Sequence, residues 1–218
     1  MQIAAACAIS FLLLCAPVAA DSGWEKTTTG CLVANPLPQP DETVTWSGGC
    51  VAGKASGNGV EVFRYRGGGT WLEERYEGEM KDGRPDGRGT MYYDNGDRYQ
   101  GTYAAGRRFG AGTYVHVNGD RYVGEFTDDK PTGHATFVYH DGGVYDGQFV
   151  NGSFEGHGTF TFADGGRYEG AFHAGMANGT GTYTSSTGEV ASGNWVNGCL
   201  RQGPRVAAVG TTREKCHF

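Results

Sequence analysis

Aliphatic side chains are scarce in this chain of 218 residues. Isoleucine occurs only at Ile3 and Ile9, and leucine occurs only four times beyond residue 20. A helical bundle or a doubly wound α/β domain fills its core mainly with such side chains, so the composition excludes both. Low aliphatic content together with high net charge is typical of disorder. Here the formal net charge is only −6 and 19% of the residues are charged, so disorder is not favoured either.

Glycine and aromatic residues are abundant instead. The chain has 39 glycines, about 18% of its residues, against a usual share of roughly 7%. Aromatic residues make up 12%, and nearly all of them lie beyond residue 20. This composition predicts a β protein whose rings are spaced by glycine. The acidic balance, with a pI near 5.5, argues against nucleic acid as a partner.

Residues 1–20 are predicted to be a signal peptide. Residues 3–20 are apolar apart from Ser10, and they end in small residues directly before Asp21. The n-region lacks Lys and Arg, which leaves a retained membrane anchor or lipidation as alternatives. No later segment is apolar enough to cross a bilayer. The expected location is therefore outside the cytoplasm, periplasmic or secreted, with a membrane-anchored form as the alternative.

The predicted mature chain keeps four cysteines: Cys31, Cys50, Cys199 and Cys216. An even number in an oxidising compartment indicates two disulfides, for which three pairings exist. Pairing of Cys31 with Cys50 and of Cys199 with Cys216 is favoured, because each pair then lies at one end of the chain. Zinc binding is the alternative, but the chain has no C-x-x-C spacing, so no metal site is predicted. The stapled ends, residues 21–45 and 199–218, are expected to cap the domain between them.

A repeat of 23 residues organises the middle of the chain. Tyrosine recurs at this spacing at Tyr76, Tyr99, Tyr122, Tyr145 and Tyr168. Glycine follows two residues after each tyrosine, and a large apolar residue follows two positions later. Degraded copies begin at Trp46 and at Ala191, and residues 64–74 carry about seven extra residues. Such fixed self-similarity indicates a repeat array, here over residues 46–198.

Each repeat is predicted to be one β-hairpin. Tyrosine, glycine and the apolar residue alternate along one face of a strand, and Asn-Gly or Asp-Gly pairs supply tight turns. Successive hairpins then form one elongated, single-layer antiparallel meander, which makes the fold class all-β. A single layer has no second sheet to cover its apolar face. We therefore expect glycine to leave space over which neighbouring rings lie flat.

The pattern resembles the MORN (membrane occupation and recognition nexus) repeat. It reads Tyr-x-Gly, four residues, Gly, three residues, Gly-x-Gly, and then Gly after six more residues. The departures are Asp129 and Ala135 in place of glycine and Ala191 in place of tyrosine. The resemblance implies a twisted β-array used for contact with proteins, for dimerisation or for contact with acidic lipid. It implies no catalytic activity by itself.

The aromatic column is predicted to be core and, in part, an interaction face for a partner. The residues assigned to that face are Tyr76, Tyr99, Tyr122, Tyr145, Tyr168, Phe126, Phe149 and Phe172. Tyrosine is a residue type favoured in binding hot spots, which supports the second role if part of the column stays accessible.

A second column carries arginine, at Arg75, Arg98, Arg121 and Arg167. It could be a cationic strip for lipid headgroups or for an acidic partner. Alternatively, the arginines pair across strands with acidic side chains and form a balanced, solvated face. The acidic residues considered for such pairing are Glu77, Glu125, Glu169, Asp97 and Asp120.

Motifs for catalysis or cofactor binding are absent from the sequence. There is no G-x-S-x-G elbow and no P-loop, and the Gly-x-Gly pairs precede predicted strands rather than helices. We therefore predict no catalytic residues and no cofactor. The expected function is an exported, non-catalytic scaffold that binds a protein partner or itself. The alternatives are peripheral binding to a membrane and, less favoured, glycan binding or a hydrolytic activity.

Overall fold

The structure, a computed structural model, describes residues 23–202, 205–209 and 215–216, and these ranges are almost entirely β. The predicted signal peptide lies outside them. No described residue belongs to a helix long and apolar enough to cross a membrane. The described strands are β1 Trp24–Lys26, β2 Leu32–Ala34, β3 Thr43–Trp46, β4 Gly49–Val51, β5 Lys54–Gly67, β6 Thr70–Lys81, β7 Arg84–Tyr92, β8 Arg98–Ala104, β9 Arg107–Val115, β10 Arg121–Thr127, β11 Lys130–Val138, β12 Val144–Val150, β13 Ser153–Thr161, β14 Arg167–His173, β15 Met176–Thr184, β16 Val190–Trp195, β17 Cys199–Gln202 and β18 Arg205–Ala208.

One sheet contains β1 to β16, and β17 pairs with β18 in a separate hairpin. From β5 to β16 each strand pairs antiparallel with the next strand in the sequence. At the N-terminal end β2, β3 and β4 all pair with β5, and the pairing of β2 with β5 is parallel. The predicted all-β antiparallel meander is thereby confirmed.

Two-residue turns close the hairpins within the repeats. Asp82 and Gly83 connect β6 to β7 with φ of 51° and 75°, and Asn151 and Gly152 connect β12 to β13 with φ of 50° and 84°. Positive φ at both central residues is the requirement of a type I′ turn, whose twist suits antiparallel strands. The turn at Asp128 and Asp129 meets the same requirement without glycine. Asp129, a departure from the repeat pattern, therefore leaves the turn intact.

A bulge interrupts the hairpin of each of the five tyrosine repeats at nearly the same point. In the β6–β7 pair, Gly78 lies opposite Gly89, whereas Met80 lies opposite Pro85. Between these two pairs, the single residue Glu79 on β6 thus faces three residues, 86–88, on β7. The Tyr76 hydroxyl donates a hydrogen bond of 2.8 Å to the carbonyl of Glu79 at this bulge. The equivalent tyrosine bonds go from Tyr99 to Thr102, from Tyr122 to Glu125, from Tyr145 to Gln148 and from Tyr168 to Ala171.

Glycine pairs lie beneath the tyrosine rings, as the spacing predicted. A methyl group on Gly112 would lie 2.5 Å from Cε2 and from the hydroxyl oxygen of Tyr99. Real side-chain carbons do not approach this closely, so the ring requires glycine there. At the third repeat Ala135 faces Gly124, and added methyl groups on both positions would collide. The site tolerates one methyl group, which explains the departure at Ala135.

The turns of neighbouring hairpins are joined by backbone hydrogen bonds. The N–H of Gly106 donates to the carbonyl of Pro85 at 2.8 Å, and the N–H of Gly152 donates to that of Pro131 at 3.0 Å. Each of these turn residues lies about one repeat after its acceptor. The bonds therefore add a link between repeats to the sheet ladder itself.

The first, degraded copy uses tryptophan in place of tyrosine. The Trp46 ring lies over Gly48 and Gly59, and its Nε1–H donates to the carbonyl of Gly49 at 2.9 Å. The tyrosine hydroxyls of the later repeats likewise donate to the carbonyl of the residue three positions after the ring. The extra residues 64–74 lengthen the β5–β6 hairpin, whose strands stay paired as far as Gly67 and Thr70.

The last copy lacks the ring at Ala191, and a residue beyond the array takes its place. A methyl group on Gly193 would lie 2.8 Å from Cδ1 of Leu200, which is buried over that glycine. Trp195 is fully buried and donates from Nε1 to the carbonyl of Gly181 at 3.0 Å. The predicted C-terminal cap segment thus contributes an apolar side chain that completes the last repeat.

Disulfides join Cys31 to Cys50 and Cys199 to Cys216. The Cα atoms are 5.7 Å apart in both pairs, within the usual range for a disulfide. The pairing favoured from the sequence is therefore the one in the structure. One disulfide lies at each end of the repeat array.

Candidate interaction surfaces of the repeat array

Ten rings form a continuous ladder along one face of the sheet, which we call the ring face. Each tyrosine of the column touches the aromatic residue four positions later in its own repeat or its equivalent in the next repeat. The ring centroids are 4.9–5.4 Å apart in edge-to-face contacts. The inner ladder consists of Tyr76, Tyr103, Tyr99, Phe126, Tyr122, Phe149, Tyr145, Phe172, Tyr168 and Trp195. Such contacts favour a well-defined packing beyond simple burial of area.

Burial assigns the inner ladder to the core. Its rings are no more than 5% exposed, and this includes all eight residues that the sequence assigned to an interaction face. A partner docking on this conformation would not reach them, because the next row of rings and the backbone cover them. Burial also raises the pKa of Tyr99 to about 12. Its hydroxyl therefore stays protonated and able to donate.

A second row of rings, half-buried, lies beside the ladder on the ring face and is more accessible. We call it the outer ring row: Tyr93, Tyr114, Phe137, Tyr139, Phe160, Phe162 and Tyr183. Tyr93 touches Tyr114, and the members from Phe137 to Tyr183 touch one after another, with centroids 4.7 Å apart for Phe160 and Phe162 and 5.7 Å apart for Phe162 and Tyr183. This row was not predicted from the sequence. Its signal was present, since Tyr114, Phe137 and Phe160 repeat at the same period of 23 residues.

Arg108 lies over the rings near the start of the outer ring row. Its guanidinium carbon is 5.3 Å from the ring centroid of Tyr114 and 5.4 Å from that of Phe126. Its Nε lies 3.2 Å from Oδ1 of Asp129, and an NH₂ group donates to the Asp129 carbonyl at 2.8 Å. This cation is therefore held by an acidic partner and by aromatic faces together.

Two aspartates tie the turns of neighbouring repeats along the opposite edge of the ring face. The carboxylate of Asp97 accepts from the Tyr114 hydroxyl at 2.7 Å and from the N–H of Val117 at 2.9 Å. Burial acts to raise the pKa of Asp97, but these hydrogen bonds outweigh it, so its pKa lies below the ordinary value. For Asp120, the N–H and then the ring of His140 lower the pKa to about 2. Both carboxylates therefore stay ionised at neutral pH.

The arginine column lies on the opposite face, the polar face, and its members differ in pairing. Arg75 forms an ion pair with Glu77, and Arg167 lies 2.7 Å from Glu169. Arg98 and Arg121 form no ion pair with a described residue, and they flank Val115, which pairs with both in the sheet. The column is therefore partly neutralised, with two free cations near its middle.

Two of the acidic residues considered for pairing, Glu77 and Glu169, do pair with this column, but along a strand rather than across strands. Both ion pairs join residues two positions apart on one strand. Asp97 and Asp120 directly precede Arg98 and Arg121 in the chain, and they lie in the turns just before β8 and β10. Their carboxylates instead bind Tyr114, Val117 and His140. Glu125 forms no ion pair with a described residue.

Metal sites in proteins are built from clusters of His, Cys, Asp and Glu side chains. Within the described ranges no three such residues lie close enough together to hold a metal ion. Four of the described histidines each pair with a single carboxylate instead, as His140 does with Asp120 at 2.9 Å. These contacts tie turns together, and they provide no open coordination sphere.

The fold and its surfaces define a class: a tandem β-hairpin repeat protein whose rings are packed over glycine pairs. Five consecutive segments match the family model described as the MORN repeat, at residues 76–98, 99–121, 122–144, 145–167 and 168–190. These segments cover more than half of the chain, and the chain belongs to the MORN repeat family. No curated protein matches it. The family comprises repeat modules that mediate contact with proteins and membranes and are in general non-catalytic.

Proposed function

We propose that this chain is an exported, non-catalytic scaffold that binds a protein partner, or a second copy of itself, through the outer ring row. The observation that carries the proposal is the run of half-buried rings between β7 and β15, in which Tyr93 touches Tyr114 and an unbroken series of contacts joins Phe137 to Tyr183. Contiguous exposed aromatic area is typical of a protein interface. The two disulfides support an oxidising compartment, because such bonds persist there.

Site-specific photo-crosslinking tests the proposal. A benzophenone amino acid replaces Phe162 in the outer ring row, and the chain is irradiated alone and in the extracytoplasmic fraction of its own organism. We expect one discrete crosslinked band, because the ring at this position would face the partner. Light scattering on the purified chain then shows whether the band contains a second copy.

Tyr92 provides the matched control position. It is 36% exposed and pairs in the sheet with Arg75 and Arg98, so it lies on the polar face. The same photoreactive residue at Tyr92 should give no band. A chain that stays monomeric and crosslinks at neither position contradicts the proposal. Equal crosslinking at both positions contradicts the assignment to the ring face.

Binding to acidic lipid is a second candidate, and the free pair Arg98 and Arg121 favours it. Both side chains are exposed on the polar face, and neither has an acidic partner among the described residues. Such cations contribute roughly 1 kcal/mol each at an anionic membrane surface. Two of them give weak and salt-dependent binding.

Co-sedimentation with vesicles containing 30% phosphatidylserine tests this candidate. The double variant Arg98→Glu/Arg121→Glu should release the chain from the vesicles at low salt. The variant Arg75→Glu/Arg167→Glu is the control, because these arginines are already paired with Glu77 and Glu169. Absence of vesicle binding by the wild-type chain at low salt rules the candidate out.

A further inference from the structure

A groove of about 910 Å³ lies at the N-terminal end of the ring face. One wall is the loop of residues 35–42, which precedes β3. The other walls are β5 and β6, together with the turns at residues 104–107 and 128–129. The volume lies within the range of roughly 300–1,000 Å³ that is usual for small-ligand sites. The function proposed above does not use this groove.

Glu61 occupies a position in the groove where other repeats carry an apolar side chain. It pairs in the sheet with Tyr76, just as Met91 pairs with Tyr99 and Phe137 pairs with Tyr145. Glu61 is thus the equivalent, in the first copy, of a ring in the outer ring row. A carboxyl group at such a position breaks the pattern of the array, and such departures are expected at functional sites.

The Glu61 side chain is buried without a partner. The residue is 3% exposed, it lines the groove, and it forms no hydrogen bond or ion pair with any described residue. An unpaired carboxylate in such a place is costly, because it keeps only slight access to water in the groove and has no partner to compensate for the water that it has lost. Burial and then the negative charge of Glu42 raise the pKa of Glu61 to about 8.

The surroundings of Glu61 add negative charge that is not neutralised. The Glu42 carboxylate accepts hydrogen bonds from the side-chain amide of Asn35 and the N–H of Gln39, which are neutral donors. Glu74 is half-buried, and burial raises its pKa. The titratable and charged groups facing the groove are Glu42, Glu61, Tyr65, Glu74, Arg84, Arg107, Asp128 and Asp129, and the buried Tyr76 pairs with Glu61 in the sheet.

The cations of the groove lie at its rim and are engaged elsewhere. Arg107 lies 3.1 Å from Asp128, and the Arg84 guanidinium lies 5.0 Å from the ring centroid of Trp24. Neither forms an ion pair with Glu61. The interior therefore presents carboxyl groups beside the apolar side chains of Phe63 and Met91.

We propose that this groove binds an organic cation, a primary ammonium or guanidinium group on an apolar chain, through an ion pair with Glu61. The apolar chain lies against Phe63 and Met91, and the charged group reaches the carboxylate behind them. Two sources share this chemistry: a free amine, and an arginine or lysine side chain presented by a polypeptide. Binding shifts Glu61 from its protonated to its ionised form, so a proton leaves as the cation enters.

Isothermal titration calorimetry on the purified, disulfide-bonded chain tests the proposal with three probes. Agmatine represents a free guanidinium compound, and the tripeptide acetyl-Leu-Arg-Leu-amide represents a side chain on a polypeptide. Acetyl-Leu-citrulline-Leu-amide has nearly the same shape without the charge. We expect saturable binding of one or both cations and none of the citrulline peptide. At least tenfold tighter binding of the arginine peptide than of agmatine identifies a polypeptide source, and the reverse order identifies a small molecule.

The variant Glu61→Gln tests the residue itself, because it keeps the shape and removes the charge. Affinity should fall at least tenfold, while Glu169→Gln on the polar face should leave it unchanged. For the wild-type chain, affinity should rise between pH 6 and pH 8, by up to tenfold per unit, since the bound form is ionised. The Glu61→Gln variant should lose this pH dependence.

Three results overturn the proposal: no probe binds, Glu61→Gln binds as tightly as the wild-type chain, or the affinity of the wild-type chain does not change with pH. Thermal melting of Glu61→Gln provides the folding check. If that variant does not fold, the pH dependence of the wild-type chain still decides the question, together with the citrulline comparison.

Discussion

Tyr103 is the inner-ladder ring whose hydroxyl is buried without a hydrogen-bond partner among the described residues. It occupies the place held by Phe126, Phe149 and Phe172 in later repeats. A buried hydroxyl without a partner has lost its bonds to water and gained none in return. The ring contributes packing at this position, whereas its oxygen opposes folding.

We therefore expect Tyr103→Phe to leave the free energy of unfolding unchanged or to increase it. The matched control is Tyr99→Phe, which removes the 3.0 Å bond to the Thr102 carbonyl from a ring in contact with Tyr103. That change should cost about 1 kcal/mol. Urea unfolding of both variants measures the difference. An equal loss in both would mean that the Tyr103 hydroxyl has a partner.

Glu61 should make the stability of the protein fall as pH rises. Its pKa of about 8 in the folded state exceeds its ordinary value of 4.5, so between these values the folded state holds a proton that the unfolded state has lost. The stabilising effect is full below pH 4.5 and is lost as pH rises through about 8. Glu61→Gln should flatten the decline in the free energy of unfolding between pH 5 and pH 8.5.

Asp97 and Asp120 have the opposite effect on stability in the same pH titration, since they stabilise the fold more as pH rises. Their pKa values are lowered in the folded state, so their contribution is present at neutral pH and is lost in acid, below about pH 4 for Asp120. The pH range over which Glu61 changes the stability does not overlap the acidic range over which Asp97 and Asp120 change it. A Glu61→Gln variant whose stability still declines toward pH 8.5 as in the wild-type chain would contradict the assignment to Glu61.

For single residues, prediction from the sequence succeeded where the alternation of side chains along a strand alone determines the position. The tyrosine column and its glycines follow from a period of two along a strand and of 23 along the chain. Glu61 was not predicted, because the extra residues 64–74 shift its register by about seven positions and hide its equivalence to Met91. The outer ring row was visible in the same period but was overlooked beside the stronger tyrosine column.

The glycine pairs beneath the rings determine which substitutions each hairpin accepts. Gly112→Ala should lower the free energy of unfolding by about 1–3 kcal/mol, because its methyl group must displace the buried Tyr99 ring. Gly49→Ala is the control, since its methyl group would meet an ordinary contact of 3.5 Å at the carbonyl of Ser56. Urea unfolding measures both. Equal stability of the two variants would show that the Tyr99 ring is free to move.

Among the structural elements, the hairpins could be predicted from the sequence and the bulges could not. Asp-Gly and Asn-Gly turns favour positive φ locally, so the hairpins followed directly from the sequence. The bulges did not, because they depend on a hydrogen bond from a tyrosine hydroxyl to a backbone carbonyl three residues ahead. That bond exists only once the ring lies flat over its glycine pair.

The whole array should tolerate the loss of one complete repeat. Deleting residues 122–144 joins Arg121 to Tyr145 and keeps the 23-residue phase, so Phe149 can take the place of Phe126 against Tyr99. We expect a folded chain whose sheet is shorter by two strands, roughly 10 Å. Circular dichroism and small-angle scattering test this. Deleting residues 122–132 alone is the control, since it breaks the phase and should prevent cooperative folding.

The order of strands was predictable at this scale because each hairpin leads directly into the next. The way in which the chain covers the C-terminal end of the sheet could not be predicted. Leu200 fills the place of the ring missing at Ala191, and only the path of the chain after Gly198 brings it over Gly193. The disulfide pairing was inferred from position alone, and the structure has the same pairing.

The neighbour-to-neighbour pairing of strands β5 to β16 also determines how the molecule responds to force. Tension applied at the two ends runs across the strands, so the hydrogen bonds of each hairpin are loaded one after another rather than all together. The sheet then yields by unzipping, and each released repeat of 23 residues adds roughly 80 Å of slack. The disulfides withhold only the short segments that they enclose. Mechanically, the array is an extensible tether whose length grows in equal steps.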